Sequence, residues 1–223
     1  MKLKENQLKL LRHLAQFEAL EYASCLRMLD TEKTNDRVAL SYAFRPLTKN
    51  KYVKKRKDDM VFILAKGRAL FPETEPLVTL GGGAQGIKRV NVVSRAAMFL
   101  GEADVESFAS PDMCDMACFI PSACWRKIRP GILSTTRFAG ILLIEDHRLA
   151  VYDISDGALD WQMRAERSLF YHNHGDYKTR ATGMLLICDD DKRVEVAHKI
   201  IRMTMWNRKQ FIENDSLCWT VSP

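Results

Sequence analysis

Nine polar side chains in the first third of the sequence suit a surface that grips a polyanion. They are Asn35, Ser41, Tyr42, Arg45 and Lys49, then the run Lys54, Lys55, Arg56 and Lys57. An arginine fork can donate two hydrogen bonds to the acceptors on a guanine edge, so Arg45 is the candidate base reader. Asn35, Ser41 and Tyr42 suit a base or a phosphate, and the lysines suit phosphate oxygens. Strand alternation would send two members of the basic run to each face, so the four cannot all meet the same phosphates. With about six cations on phosphates, log affinity would fall with log salt at a slope of roughly −5.

These residues need a helix and a hairpin to present them. Apolar Leu10, Leu11, Leu14 and Phe17 recur at helical spacing within 5–18, and a second, shorter helix suits 21–29. After the break at Asp30-Thr31, Asn35 or Asp36 can cap a third helix running to about Lys49. On that helix Leu40, Ala43, Phe44 and Leu47 fall on the inner face, opposite the candidate readers. Pro46 is awkward, because proline removes a backbone donor: the helix either bends there or ends before Lys49. Two β-prone runs, Tyr52–Arg56 and Met60–Leu64, flank Lys57-Asp58-Asp59 and predict a hairpin. Lys66-Gly67-Arg68 starts another short helical piece.

Charge follows the same division. Residues 1–72 carry a net +8, and the rest of the chain carries −2. Residues 72–90 hold Pro72, Pro76, the triplet Gly81-Gly82-Gly83 and Gly86, and read as a linker. Beyond it, 91–101 is expected to be helical, with strands over 137–144, 149–154 and 183–188 and helices over 158–171 and 191–204. Such a series packs as a sheet covered by helices. The expected domains are 1–72, a linker at 73–90, and 91–223.

The segment RVALSYAFRPLTKNKYVKK followed by VFILAKGRALF resembles the winged-helix superfamily. The first stretch looks like a recognition helix leading into a wing, the second like the returning strand. From residue 90 onward, KRVNVVSRAAMFL and TTRFAGILLIEDHRLAVYDISDGALDW resemble the replication-relaxation family of plasmids and integrative conjugative elements. That resemblance implies a winged helix-turn-helix joined to an α/β domain, with a role in replication or topological processing of mobile-element DNA. It also implies a second domain that can take the form of a degenerate restriction-endonuclease-like core.

A working core of that type needs carboxylates on magnesium beside a lysine. The sequence has no Glu-x-Lys. Pro111-Asp112 falls in a loop-like stretch, and Asp153 is followed by Ile154 and Ser155. Asp176–Lys178 and Asp190–Lys192 stand beside a turn or a helix start. His172, His174 and Asp176 would share one face of an extended segment and suit a divalent ion, or simply a polar loop. The six cysteines (25, 114, 118, 124, 188 and 218) form no Cys-x-x-Cys pair and are expected as reduced, mostly buried thiols. Trp125, Trp161 and Trp206 are expected as core or interface anchors, and Ser134 to Arg137 as a solvated strand entry.

The overall expectation is an α+β or α/β chain that binds double-stranded DNA. It is read as a replication or transfer accessory of a bacterial mobile element, with no catalytic residue, metal or cofactor. Its second domain is expected to form a homodimer or recruit replication or conjugative-transfer proteins. Two alternatives stand beside it: a transcriptional regulator with a ligand- or partner-sensing second domain, and a metal-dependent nuclease or nicking accessory. With no run of about 18 apolar residues and no apolar leader at the N-terminus, a cytoplasmic location without membrane contact is expected.

Overall fold

The computed structural model describes residues 2–30, 36–79, 83–102, 107–108, 118–128, 137–144, 147–155, 183–188, 192–193, 195–196 and 218–221. It is a mixed α/β chain with two sheets among the described residues, and its contacts divide it into Met1–Met98 and Phe99–Pro223.

In the first unit, α1 (Glu5–Phe17) buries Leu10, Leu11, Leu14 and Phe17, the stripe its spacing predicts. A short strand, β1 (Ala19–Glu21), leads directly into α2 (Tyr22–Leu29). Helix α3 (Arg37–Lys49) starts where Asp36 caps it, the side chain accepting from the Val38 and Ala39 amides. It continues through Pro46 to Lys49 rather than ending early. Phe44 and Leu47 are buried on its inner side, while Leu40 and Ala43 are half-buried.

The end of α3 is set by backbone bonding. Tyr52 N–H donates to the Leu47 carbonyl at 2.9 Å and Lys51 N–H to Thr48 at 3.1 Å. Lys51 takes the left-handed conformation, φ 58°. Together these form the paired closure that stops a helix and turns the chain outward. The hairpin follows as β2 (Val53–Lys55) and β3 (Met60–Ile63), antiparallel, with Lys54 opposite Phe62 and Lys55 opposite Val61. β1 pairs with the other edge of β3, giving the order β1-β3-β2. A single-turn helix, α4 (Ala65–Arg68), then packs against the strand entry. A side chain at Gly67 would stand 2.4 Å from the Tyr52 carbonyl oxygen, so only glycine lets the two backbones come this close.

Helix α5 (Gly83–Glu102) begins inside the stretch expected as a linker. The division of the chain falls at Met98/Phe99, not within 73–90. Val90, Val92, Val93, Ala96 and Ala97 are buried, and polar contacts tie the helix to the first unit. Asn91 Oδ1 accepts from the Glu21 amide at 2.9 Å, Arg95 donates to the Glu21 carboxylate, and Ser94 Oγ lies 3.0 Å from His13 Nε2. These contacts are non-local and leave no linear signal.

Among its described residues the second unit has six strands: β4 (Ser107–Phe108), β5 (Cys118–Pro121), β6 (Phe138–Ile144), β7 (His147–Asp153), β8 (Gly183–Ile187) and β9 (Cys218–Val221). They lie in sequence order; β5, β6 and β7 are antiparallel, and β8 and β9 add parallel to β7. Successive residues of β5, β6 and β7 are buried without alternation, so both sheet faces are shielded. Helix α6 (Ser122–Ile128) carries the buried Trp125. Arg137, expected at a solvated entry, is 2% exposed. Cys118 is disulfide-bonded, against the expectation that every thiol be reduced, while Cys25, Cys124 and Cys188 are buried thiols. The expected helix at 158–171 lies outside the described residues. Of that at 191–204, helical residues are described at 192–193 and 195–196.

No helix among the described residues is long and apolar enough to cross a membrane.

Candidate nucleic-acid interface

An open groove of about 1020 Å³ runs between α3 and β2. One wall is the outer face of α3: Arg37, Val38, Ser41, Tyr42, Arg45 and Thr48. The other is Lys51, Lys54 and Lys55, with Phe44, Val53 and Leu64 among the apolar residues between them. Helical spacing sets the first wall, because residues three and four apart share a face while Leu47 anchors the opposite one and Phe44 closes the groove floor. The closure at Lys51 sets the second, by returning the chain beside the helix it has just left.

Five expected site residues therefore meet in one place: Ser41, Tyr42 and Arg45 from α3, Lys54 and Lys55 from β2. Lys49 is exposed on the last turn of α3 but does not line the groove. Arg56 and Lys57 are exposed beyond it, at the hairpin end. Asn35 lies outside the described residues.

Tyr22, unnoticed in the sequence, organises the junction. Its hydroxyl lies 3.0 Å from Ser41 Oγ, and its ring stands edge-on to Phe44 with centroids 5.0 Å apart. The Lys55 ammonium sits 3.7 Å from the centre of the same ring. Alternation alone would place neighbours Lys54 and Lys55 on opposite sides. The attraction of an ammonium for an aromatic face lets Lys55 reach the groove as well. Arg37, Val38, Thr48 and Lys51 were also missed; Val38 was legible, since it precedes Tyr42 by one helical turn.

The basic run is less available than its composition suggests. Lys55 Nζ pairs with Asp59 at 2.8 Å, and Arg56 pairs with Asp58 at 3.0 Å. Both pairs are largely exposed and weak, so a phosphate can displace the carboxylates. Among the described residues no ion pair engages Arg37, Arg45, Lys51 or Lys54. The groove thus offers uncommitted guanidinium and ammonium groups beside hydroxyls, an arrangement suited to phosphates and base edges.

Comparison of the chain with protein families, characterised proteins and solved structures finds no match. Side-chain chemistry and geometry carry the functional reading.

Asp153 is 4% exposed, and its Oδ1 accepts from the Ser155 amide at 3.0 Å and hydroxyl at 2.6 Å. That bonding closes a turn at the end of β7. Burial, with the charge of Glu21 adding to it, pushes the Cys25 thiol up, so it stays protonated. Among the described residues no group of three His, Cys, Asp or Glu could hold a metal ion. His172, His174, Asp176, Lys178, Asp112, Asp190 and Cys114 lie outside the described residues.

Proposed function

We propose that the first unit is a winged helix-turn-helix that binds double-stranded DNA, with α3 in the major groove and the β2–β3 hairpin as the wing against the backbone. The observation that carries the reading is the single groove in which Ser41, Tyr42 and Arg45 of α3 stand beside Lys54 of β2. A major-groove reader needs a polar helix face for base edges and cations at its margin for phosphates, and this surface supplies both. The net +8 of residues 1–72 supplies the attraction that brings a duplex to it.

The protein acts, on this reading, as a non-catalytic replication or transfer accessory of a bacterial mobile element. The second unit serves assembly, through a homodimer or through replication or conjugative-transfer proteins. The accessory role comes from the resemblance of residues 90 onward to the replication-relaxation family. The absence of a Glu-x-Lys sequence is what sets assembly ahead of nuclease chemistry for that unit.

Selection of duplexes from a random-sequence pool tests the assignment. Wild-type protein is expected to recover a motif containing guanine, and Arg45→Ala to relax preference at that position alone, by about 1–3 kcal/mol. An unchanged motif with Arg45→Ala would remove α3 from base recognition.

A further inference from the structure

Val38 and Tyr42 are 65% and 66% exposed, the most exposed large apolar or aromatic side chains among the described residues. They stand one turn apart on the outer face of α3 and both line the cationic groove. Water contact with this much carbon is unfavourable, and no packing within the described fold requires it. Neither side chain contributes to the α3 core, which is formed by Phe44 and Leu47.

Resting on the proposed duplex-binding role, we infer that Val38 and Tyr42 read thymine through its 5-methyl group. In the major groove that methyl is the one apolar mark on a base edge, and an aliphatic or aromatic side chain is its natural complement. The charge of the surroundings selects this occupant over an apolar protein segment. Arg37 and Arg45 bracket the pair along the helix, and Lys51 and Lys54 face it across the groove. A purely apolar partner would leave those four cations desolvated without a counter-charge, whereas a duplex supplies phosphates for them.

Position along the helix fixes the register. From Val38 to Arg45 the axis advances about 10 Å, at 1.5 Å per residue. With base pairs stacked about 3.4 Å apart, thymine falls within roughly three pairs of the guanine under Arg45. The Ser41 hydroxyl, 3.0 Å from Tyr22 Oη, lies between them and can serve either neighbour. The inferred element is therefore a short mixed motif, with apolar thymine recognition at the N-terminal end of α3 and polar guanine recognition toward its centre.

The test uses the full chain and a duplex recovered by selection from a random-sequence pool, made once with thymine and once with uracil. Uracil keeps every hydrogen-bonding edge and lacks only the methyl. Wild-type protein is expected to bind the uracil duplex about fourfold more weakly for each contacted methyl. The double variant Val38→Ala/Tyr42→Ala is expected to bind both duplexes equally. Equal affinity of the wild type for the two duplexes, with duplex binding retained, would overturn thymine reading and leave the DNA-binding role standing. Discrimination that persists in the double variant would also overturn it, by placing the methyl against other residues. Absence of any duplex binding would remove both proposals.

Discussion

Replacing Arg45 and Lys54 together by glutamate is expected to lower duplex affinity on the order of a thousandfold. Hydrogen bonds to charged groups contribute about 1.5–3 kcal/mol each, and every 1.4 kcal/mol is a factor of ten. Losing two such bonds gives most of the effect, and repulsion between the new carboxylates and the phosphates adds to it. Both side chains are exposed and neither has an ion-pair partner among the described residues. The fold should therefore hold, since exposed substitutions usually change stability by no more than about 0.5 kcal/mol. Fluorescence anisotropy of a labelled duplex measures the loss, with circular dichroism as the check on folding. Glutamates at Lys88 and Arg89, exposed on α5, change net charge equally at a distance in sequence from the groove residues. Equal losses from the two double variants would mean that charge attracts the duplex without a defined surface.

Acid should destabilise the first unit through one histidine. His13 is buried in α1, its ring centroid 4.8 Å from that of Phe17 and its Nε2 3.0 Å from Ser94 Oγ. Burial lowers its pKa from 6.5 to about 4; hydrogen bonding to the Ser94 backbone opposes the shift, and the Lys9 charge adds to it. The folded chain thus keeps the imidazole neutral where the unfolded chain protonates it. Between about pH 4 and 6.5 the unfolded state holds more protons, so stability rises with pH across that window. The contribution is complete above about 6.5 and is lost as pH falls toward 4. From pH 7 to pH 5 the expected loss is about 2 kcal/mol. Hydrogen-exchange protection of the α1 amides, corrected for intrinsic rates, reports it. His13→Gln, whose amide keeps both a donor and an acceptor for Ser94 but does not titrate, should lose most of this pH dependence. An unchanged pH dependence would assign the acid sensitivity to other groups.

The first unit was legible where its elements are local. Leucine spacing marked α1, Asp36 marked the start of α3, and the β-prone runs around Lys57-Asp58-Asp59 marked the hairpin. In the second unit β6, β7 and β8 fell close to their apolar runs. Three kinds of feature were not legible. The strand β1 is three residues long and exists because β3 pairs with it, a partnership more than 35 residues distant in sequence. The hairpin was counted as four cations, but Asp58 and Asp59 occupy two of them across the turn. Tyr22 looked like one more residue of α2, and only the fold brings it against Ser41 and Lys55. The contact of Asn91, midway along α5, with Glu21 was hidden for the same reason, the two residues being 70 positions apart.

The central claim is that a duplex binds by placing phosphates on the cations of α3 and the hairpin. A titration of labelled duplex at several salt concentrations between 50 and 200 mM tests it most directly. With about six cations on phosphates, log affinity should fall against log salt with a slope near −5, about a thousandfold across that range. Affinity that holds constant across the series would contradict the account.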